Sequence, residues 1–399
     1  MGEMRAQATP FRKARFTGMY EIRQILHHAG RLRAEGQGFA LATVVRIGGS
    51  TYRRPGARLL IDPKGATWGT ISGGCLEGEV AERALEQMKS GLAEVHPFTL
   101  GEDDIVLGFG TGCNGIVHVL IEPFAPGGPV PPLDAIAASA ASRRSNVLAT
   151  VLTGSGAWRD AVAGHVAVQD LGLESIPSGD LPEGLHERIV RDARAILEDK
   201  RHAASRPAWQ NRTYETMSAT AEVLFEALQP PIRLLLFGEG HDIAPVVRMA
   251  QSLGWEVWIV GRKPEEELAR RFPGADRCIF LMHPEEVATR IATDGRTAAF
   301  LMNHSYLRDR ALLAGLLPTQ TPYLGLLGPR SRTARMLEEL AETAPLPADA
   351  DTRIFGPIGL DIGTETPEEI ALAALAEAQA ILHGRGGGLL RKRTGPIHS

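Results

Sequence analysis

Two of the three cysteines sit beside glycines, in Ser72-Gly73-Gly74-Cys75 and in Gly112-Cys113-Asn114-Gly115, and these turns carry the side chains best suited to chemistry. The first belongs to the stretch Thr70–Glu77, which has a strand-like run before it and an amphipathic helical run after it. A helix start exposes backbone N–H groups and the positive end of the helix dipole, which favours an anion. The same field favours a thiolate over a thiol. A thiolate beside an anion cradle is one reading of this stretch. The other takes Gly73 and Gly74 as turn formers and Cys75 as a small buried apolar side chain.

A second glycine turn, Gly238-Glu239-Gly240-His241, follows the strand-like run Ile232–Phe237 and precedes a helical one. The phosphate-binding turn of a dinucleotide fold belongs at such a place. Its third glycine would fall at position 243, where Ile243 stands. The second strand ends in Val260-Gly261-Arg262-Lys263, without the carboxylate that holds a ribose hydroxyl. This argues against NAD, and the basic pair suits a phosphate better. A doubly wound sheet brings the loops after its first and fourth strands to one crevice. Gly238, Gly240 and His241 are therefore expected to face Asn303-His304, with Gly328 and Arg330 close by.

The elements that must position these residues follow in order. A polar, basic leader (1–17) without periodicity is expected to be mobile, and a helix is expected over Met19–Arg33. Phe39–Ile47 reads as a buried strand, followed by strands Arg58–Asp62 and Thr67–Ile71. A helix then runs over Leu76–Met88 with Gly91 as its stop, and a strand over Ile116–Glu122. Beyond the Pro/Gly stretch Pro123–Pro132, Leu148-Ala149-Thr150-Val151 echoes Leu41-Ala42-Thr43-Val44 at an offset of 107 residues, and Gly164–Asp170 echoes Gly56–Asp62 at 108. A helix near Leu185–Leu197 completes the echo. The predicted first domain is thus 18–228, either duplicated internally as 39–122 and 146–199 or similar only by chance. Residues 200–230 read as mixed and polar, and Gln229-Pro230-Pro231 is a boundary. Five short strands alternating with helices then predict a doubly wound parallel sheet over 229–384. Its last helix opens on a capping box, Thr366-Pro367-Glu368-Glu369. The Gly/Arg-rich tail (385–399) is expected to be disordered. The fold class is α/β, an N-terminal α/β domain followed by a C-terminal Rossmann-like domain.

Length and composition bound the function. A chain of 399 residues with 44% hydrophobic and 23% charged residues is ordinary globular material for two or three domains. A net charge of −4 gives no footprint for nucleic acid. No apolar run reaches the length of a membrane span, and no secretory core follows the basic N-terminus. A cytoplasmic protein is expected. An odd, sparse cysteine set does not read as a disulfide framework, and it lacks the paired spacing of a zinc site.

Several of these strings resemble one family. Gly49-Ser50-Thr51, Pro55-Gly56-Ala57, Gly73-Gly74-Cys75-Leu76-Glu77 and Gly112-Cys113-Asn114-Gly115 are similar to the N-terminal domain of xanthine dehydrogenase accessory factors (XdhC/CoxI-like). Gly238-x-Gly240-His241, Met302-Asn303-His304, Leu324–Gly328 and Pro357–Gly363 with Thr366–Ala371 resemble that family's C-terminal Rossmann-type domain. The resemblance implies a maturation chaperone rather than an enzyme. Such a protein binds molybdenum cofactor (molybdopterin), protects it while a cysteine desulfurase supplies sulfur, and delivers it to an apo molybdenum hydroxylase. It further implies Cys75 and Cys113 as the reactive thiols and metal contacts. Ser72, Gly73, Gly74, Glu77, Gly112, Gly238, Gly240, His241, His304 and Arg330 are the remaining candidate cofactor-binding residues. Gly261 stands where the family has an acid, Pro329 where it has a serine and Asn114 where it has a glycine; the first leaves nucleotide binding by the second domain open. The alternative function is a nucleotide-dependent oxidoreductase using the C-terminal domain, which would need a ribose anchor. A homodimer is the expected assembly, as the commonest closed form.

Overall fold

The computed structural model describes residues 20–49, 51–99, 115–169, 176–178, 181–198 and 208–394. The leader, Gly112 and Cys113 lie outside the described residues. The chain forms two compact units, one over Glu21–Gln229 and one beginning at Pro230.

The first unit opens with helix α1 (Tyr20–Ala34), strands β1 (Phe39–Gly48), β2 (Arg58–Ile61) and β3 (Thr67–Gly69), helix α2 (Glu77–Ser90), and strands β4 (Glu94–Thr99) and β5 (Ile116–Phe124). It continues with helix α3 (Pro131–Ser142), strands β6 (Asn146–Gly154), β7 (His165–Gln169) and β8 (Ile176–Ser178), helix α4 (Glu183–Glu198), and strands β9 (Trp209–Glu215) and β10 (Thr220–Leu228). The first five strands make an antiparallel sheet in the order β3-β2-β1-β5-β4, and the next five make another in the order β8-β7-β6-β10-β9. The second sheet repeats the first strand for strand.

The repeat extends to irregularities. Strand β1 skips Val45 in its pairing with β5, and β6 skips Leu152 in its pairing with β10. Such a bulge bends the strand and re-aims a side chain. The two bulged residues meet in one buried cluster with Leu120 and Leu224. In the first sheet Ala40, Ala42 and Val44 pack under Val80, Ala81 and Ala84 of α2. In the second, Val147, Ala149 and Val151 pack under Leu185, Ile189 and Ala193 of α4. The opposite face of β1 places Phe39 and Leu41 against α1 and α3.

Two buried ion pairs tie the sheets together at matching places. Arg58 and Thr43 are register partners, as are His165 and Thr150. Arg58 Nη2 meets Glu226 Oε2 at 2.7 Å, with both side chains at most 5% exposed. His165 Nε2 meets Glu122 Oε1 at 2.6 Å, equally buried, and its Nδ1 lies 3.0 Å from Thr150 Oγ1. Arg58 therefore corresponds to His165, an offset of 107 and not the 108 of the sequence echo. A slip of one residue would send every side chain to the other face. The second half also runs on to Leu228, past the end of the echo, because β9 and β10 form there.

The second unit contains β11 (Arg233–Phe237), α5 (Ile243–Ser252), β12 (Glu256–Gly261), α6 (Glu265–Arg271), β13 (Arg277–Phe280), α7 (Val287–Arg290), β14 (Thr297–Leu301), α8 (Tyr306–Leu316), β15 (Tyr323–Leu326), α9 (Arg330–Thr343), α10 (Ala350–Arg353), β16 (Ile354–Phe355) and α11 (Pro367–Leu382). Its six strands are parallel in the order β13-β12-β11-β14-β15-β16, the Rossmann arrangement with its switch point between β11 and β14. The sixth strand, only two residues long, adds to the five expected. The capping box at Thr366 and Glu369 is present, with both reciprocal bonds. Residues 385–394 include a 3₁₀ turn at Leu390–Lys392.

Candidate functional sites

The Ser-Gly-Gly-Cys turn joins β3 to α2 and is pinned at both ends. Ile71 and Leu76 are buried in the core under α2, while Gly73, Gly74 and Cys75 between them are exposed. Gly73 and Gly74 have φ values of 92° and 117°, in the region that favours glycine. The thiol of Cys75 is thus held at the surface, not buried as a small apolar side chain.

The anion in the cradle is the chain's own. Glu77 Oε1 accepts from Thr70 Oγ1 at 2.5 Å, from the N–H groups of Ile71 and Ser72 at 3.0 Å, and from Gly73 N–H at 3.3 Å. Its Oε2 accepts from Ser72 Oγ, from Gly74 N–H at 2.9 Å and from Leu76 N–H at 3.2 Å. Burial opposes ionisation of this carboxylate, but the hydrogen bonds from Ser72, Thr70 and the backbone outweigh it and hold its pKa down at about 2. The N–H groups expected to face a ligand anion therefore hold Glu77, and Glu77 fixes the shape of the turn.

Tyr52 lies beside this turn and carried no site signal in the sequence beyond being an aromatic in a glycine-flanked loop. Its ring is 3.1 Å from where a side chain on Gly73 would begin, yet the residue is 68% exposed. The loop bearing it is anchored by Arg53, which pairs with Glu21 of α1, and by the bond from Thr51 Oγ1 to Arg53 O at 3.0 Å. Arg54 is exposed on the same loop. An exposed thiol and an exposed aromatic face thus flank one exposed glycine pair.

In the second unit the loops after β11 and β14 meet at the switch point. A Cβ on Gly238 would lie 2.8 Å from Met302 O, and one on Gly240 would lie 3.4 Å from His304 Nε2. His241 and His304 are both exposed, and Arg330 is exposed as the first residue of α9. Beneath them Asp309, fully buried, accepts from Asn303 Nδ2 at 2.8 Å and from Arg332 Nη2 at 2.8 Å. Burial raises its pKa against the opposing effect of those two donors. Arg332 also donates to Leu327 O at 3.1 Å, so this network sets the loops after β14 and β15 relative to each other. Ile243 is wholly buried in the core below α5, where the third glycine of a phosphate turn would stand. Cys278 lies on β13, half-buried against the same core. Among the described residues, no three His, Cys, Asp or Glu side chains converge on a metal-sized site.

An antiparallel double sheet bearing a surface cysteine, followed by a Rossmann unit lacking the usual glycine and acid, defines a two-unit protein whose thiol lies outside its dinucleotide-type fold. Comparison with known proteins places it. Residues 32–99 match the XdhC and CoxI family, and residues 234–378 match the XdhC Rossmann domain. A Bacillus subtilis protein described as a probable xanthine dehydrogenase component is 30% identical over 339 residues, covering 84% of this chain and 91% of that protein. The molybdenum cofactor insertion chaperone PaoD of Escherichia coli is 24% identical over 364 residues, covering 90% and 88%. A crystal structure described as a xanthine dehydrogenase from Bacillus halodurans shares the fold with a TM-score of 0.67 at 24% identity, covering 92% of this chain and 97% of that one. The chain belongs to the XdhC/CoxI family.

Proposed function

We propose that this protein matures a molybdenum hydroxylase: it holds molybdenum cofactor at the Cys75 turn, shields it during sulfuration by a cysteine desulfurase, and passes it to the apo enzyme. The observation that carries the proposal is the exposed Cys75 thiol on a turn clamped from within by Glu77. Family membership and the E. coli relative's description as a cofactor insertion chaperone support it.

The residues at the turn fit part of such a cofactor. When bound, it supplies a molybdenum held by dithiolene sulfur, and a thiolate is a soft ligand suited to that metal. Gly73 and Gly74 let a ligand approach the backbone closely, and the Tyr52 ring offers a face to a flat heterocycle. The cofactor phosphate does not fit the cradle, because Glu77 holds those donors. Exposed Arg54, two residues from Tyr52, is the cation nearest in sequence to take it. Cys113 and Gly112 enter through the family resemblance.

The test is purification from a strain that makes the cofactor, with molybdenum measured by mass spectrometry and pterin by fluorescence after oxidation. The wild-type protein should carry both, and Cys75→Ser should carry about tenfold less. Absence of both from the wild type, or equal loading of the variant, overturns the proposal.

A further inference from the structure

The strand-end position that lacks an acid in the sequence holds one in the folded protein, delivered from another loop. Glu239, in the turn after β11, reaches to the end of β12, where its Oε1 accepts from the N–H of Arg262 and, at 3.1 Å, from that of Lys263. Gly261 makes room for it: a Cβ there would lie 2.6 Å from Glu239 Oε1 and 3.0 Å from its Cγ. In dinucleotide folds the first of these places is the phosphate turn and the second is the ribose position. The Glu239 side chain therefore spans the stretch that a nucleotide's phosphate–ribose unit would bridge.

Cations gather around this carboxylate. Arg262 is exposed at the strand end, and Lys263 follows it, paired with Glu267. Buried Arg308 feels the charges of both Arg262 and Glu239, and it is fixed by donating to the carbonyls of Leu281 and Met282 beyond β13. Such a place suits an anion on the ribose better than the bare hydroxyl an acid would hold, because an arginine near this strand end accommodates a 2′-phosphate. A ribose anchor would point its carboxylate outward at the ligand, whereas Glu239 turns Oε1 inward onto backbone donors.

We propose that the second unit carries a closed site for a 2′-phosphorylated adenine nucleotide, with Glu239 acting as an internal plug that occupies the ligand's place on the Arg262 and Lys263 donors. A ligand must displace the plug, so the wild-type protein binds weakly and removal of the carboxylate opens the site. This inference is independent of the Cys75 assignment, since it concerns only residues of the second unit.

The experiment is calorimetric titration of the full chain with 2′,5′-ADP, NADP⁺ and NAD⁺, comparing wild type, Glu239→Ala, Glu239→Gln and Glu239→Ala/Arg262→Ala, each checked for an unchanged thermal transition. Relieving a like-charge clash should tighten binding of 2′,5′-ADP and NADP⁺ by at least about tenfold in both single variants. Adding Arg262→Ala should cancel that gain, and NAD⁺ should gain less than NADP⁺. No gain in a folded Glu239→Gln protein overturns the plug. Tighter NAD⁺ binding by wild type than by the single variants also overturns it, because Glu239 would then be a ribose anchor.

Discussion

Glu77 does inside the protein what a bound anion would otherwise do, since one carboxylate engages five backbone N–H groups and two hydroxyls of a single turn. An amide at this position would turn its own N–H donors toward some of those donors. We therefore expect Glu77→Gln to lower stability by about 2 kcal/mol at neutral pH, measured by urea unfolding. The pH dependence follows from a folded pKa near 2 against an ordinary 4.5. A depressed carboxylate contributes fully above its unfolded pKa and loses that contribution as pH falls through the folded one. The gap between wild type and variant should accordingly shrink from pH 4.5 toward pH 2, and a constant gap would refute the clamp. The sequence showed the glycines, the cysteine and the glutamate, but not the direction of the glutamate. Thr366 and Glu369 form a capping box at a fixed spacing of three, so that contact was legible. Glu77 reaches back over up to seven residues only because two glycines with positive φ fold the turn onto it.

At the scale of elements, the two antiparallel sheets depend on pairs that a single sheet could not complete. Glu226 of β10 serves Arg58 of β2, and Glu122 of β5 serves His165 of β7. Breaking one partner leaves an uncompensated buried charge, so Glu226→Ala should cost about 3–5 kcal/mol. Replacing both partners, as Arg58→Met with Glu226→Leu, should restore stability to within about 1 kcal/mol of wild type, because desolvation offsets most of the attraction in the original pair. Thermal unfolding of the three proteins checks this; a double variant as unstable as the single one would show that the pair contributes more than it costs to bury. The long apolar strand β1 and helices α1, α2 and α4 were legible from period and stop signals, including Gly91, whose φ of 75° closes α2. Strands β4, β9 and β10 and helix α3 were not. Strand β4 contains Pro97, and β9 is polar and only partly buried. Helix α3 is so rich in alanine that it lacks a clear apolar stripe.

For the whole molecule, the chain divides between Gln229 and Pro230, and each side contains complete sheets with their covering helices. In the second unit, for example, α5 and α11 close one face of the six-stranded sheet, where Tyr323 donates to Glu377, which also accepts from Gly359 N–H at 2.9 Å. We expect residues 230–394 expressed alone to fold cooperatively, read as a single sigmoidal urea transition with dispersed amide resonances. A chain that remains unfolded would mean that the first unit is required for its stability. No helix among the described residues is long and apolar enough to cross a membrane.

What the sequence determined by itself is what local rules encode: helix and strand periods, glycine and proline stops, the capping box, the order of alternation in the second unit and the family strings. These depend on neighbours within a few positions. Tertiary structure alone decided which strands pair and in what register, so an echo offset by 108 became an equivalence of 107. It also decided which donors meet which charges. At Cys75 and at Gly261 the sequence showed a place for an anion or the lack of one, and in both the fold brought a glutamate to it: Glu77 from the following helix and Glu239 from a neighbouring loop. A side chain several ångströms long can turn toward solvent or inward. The choice rests on buried donors that long-range packing assembles, which no short window of sequence contains.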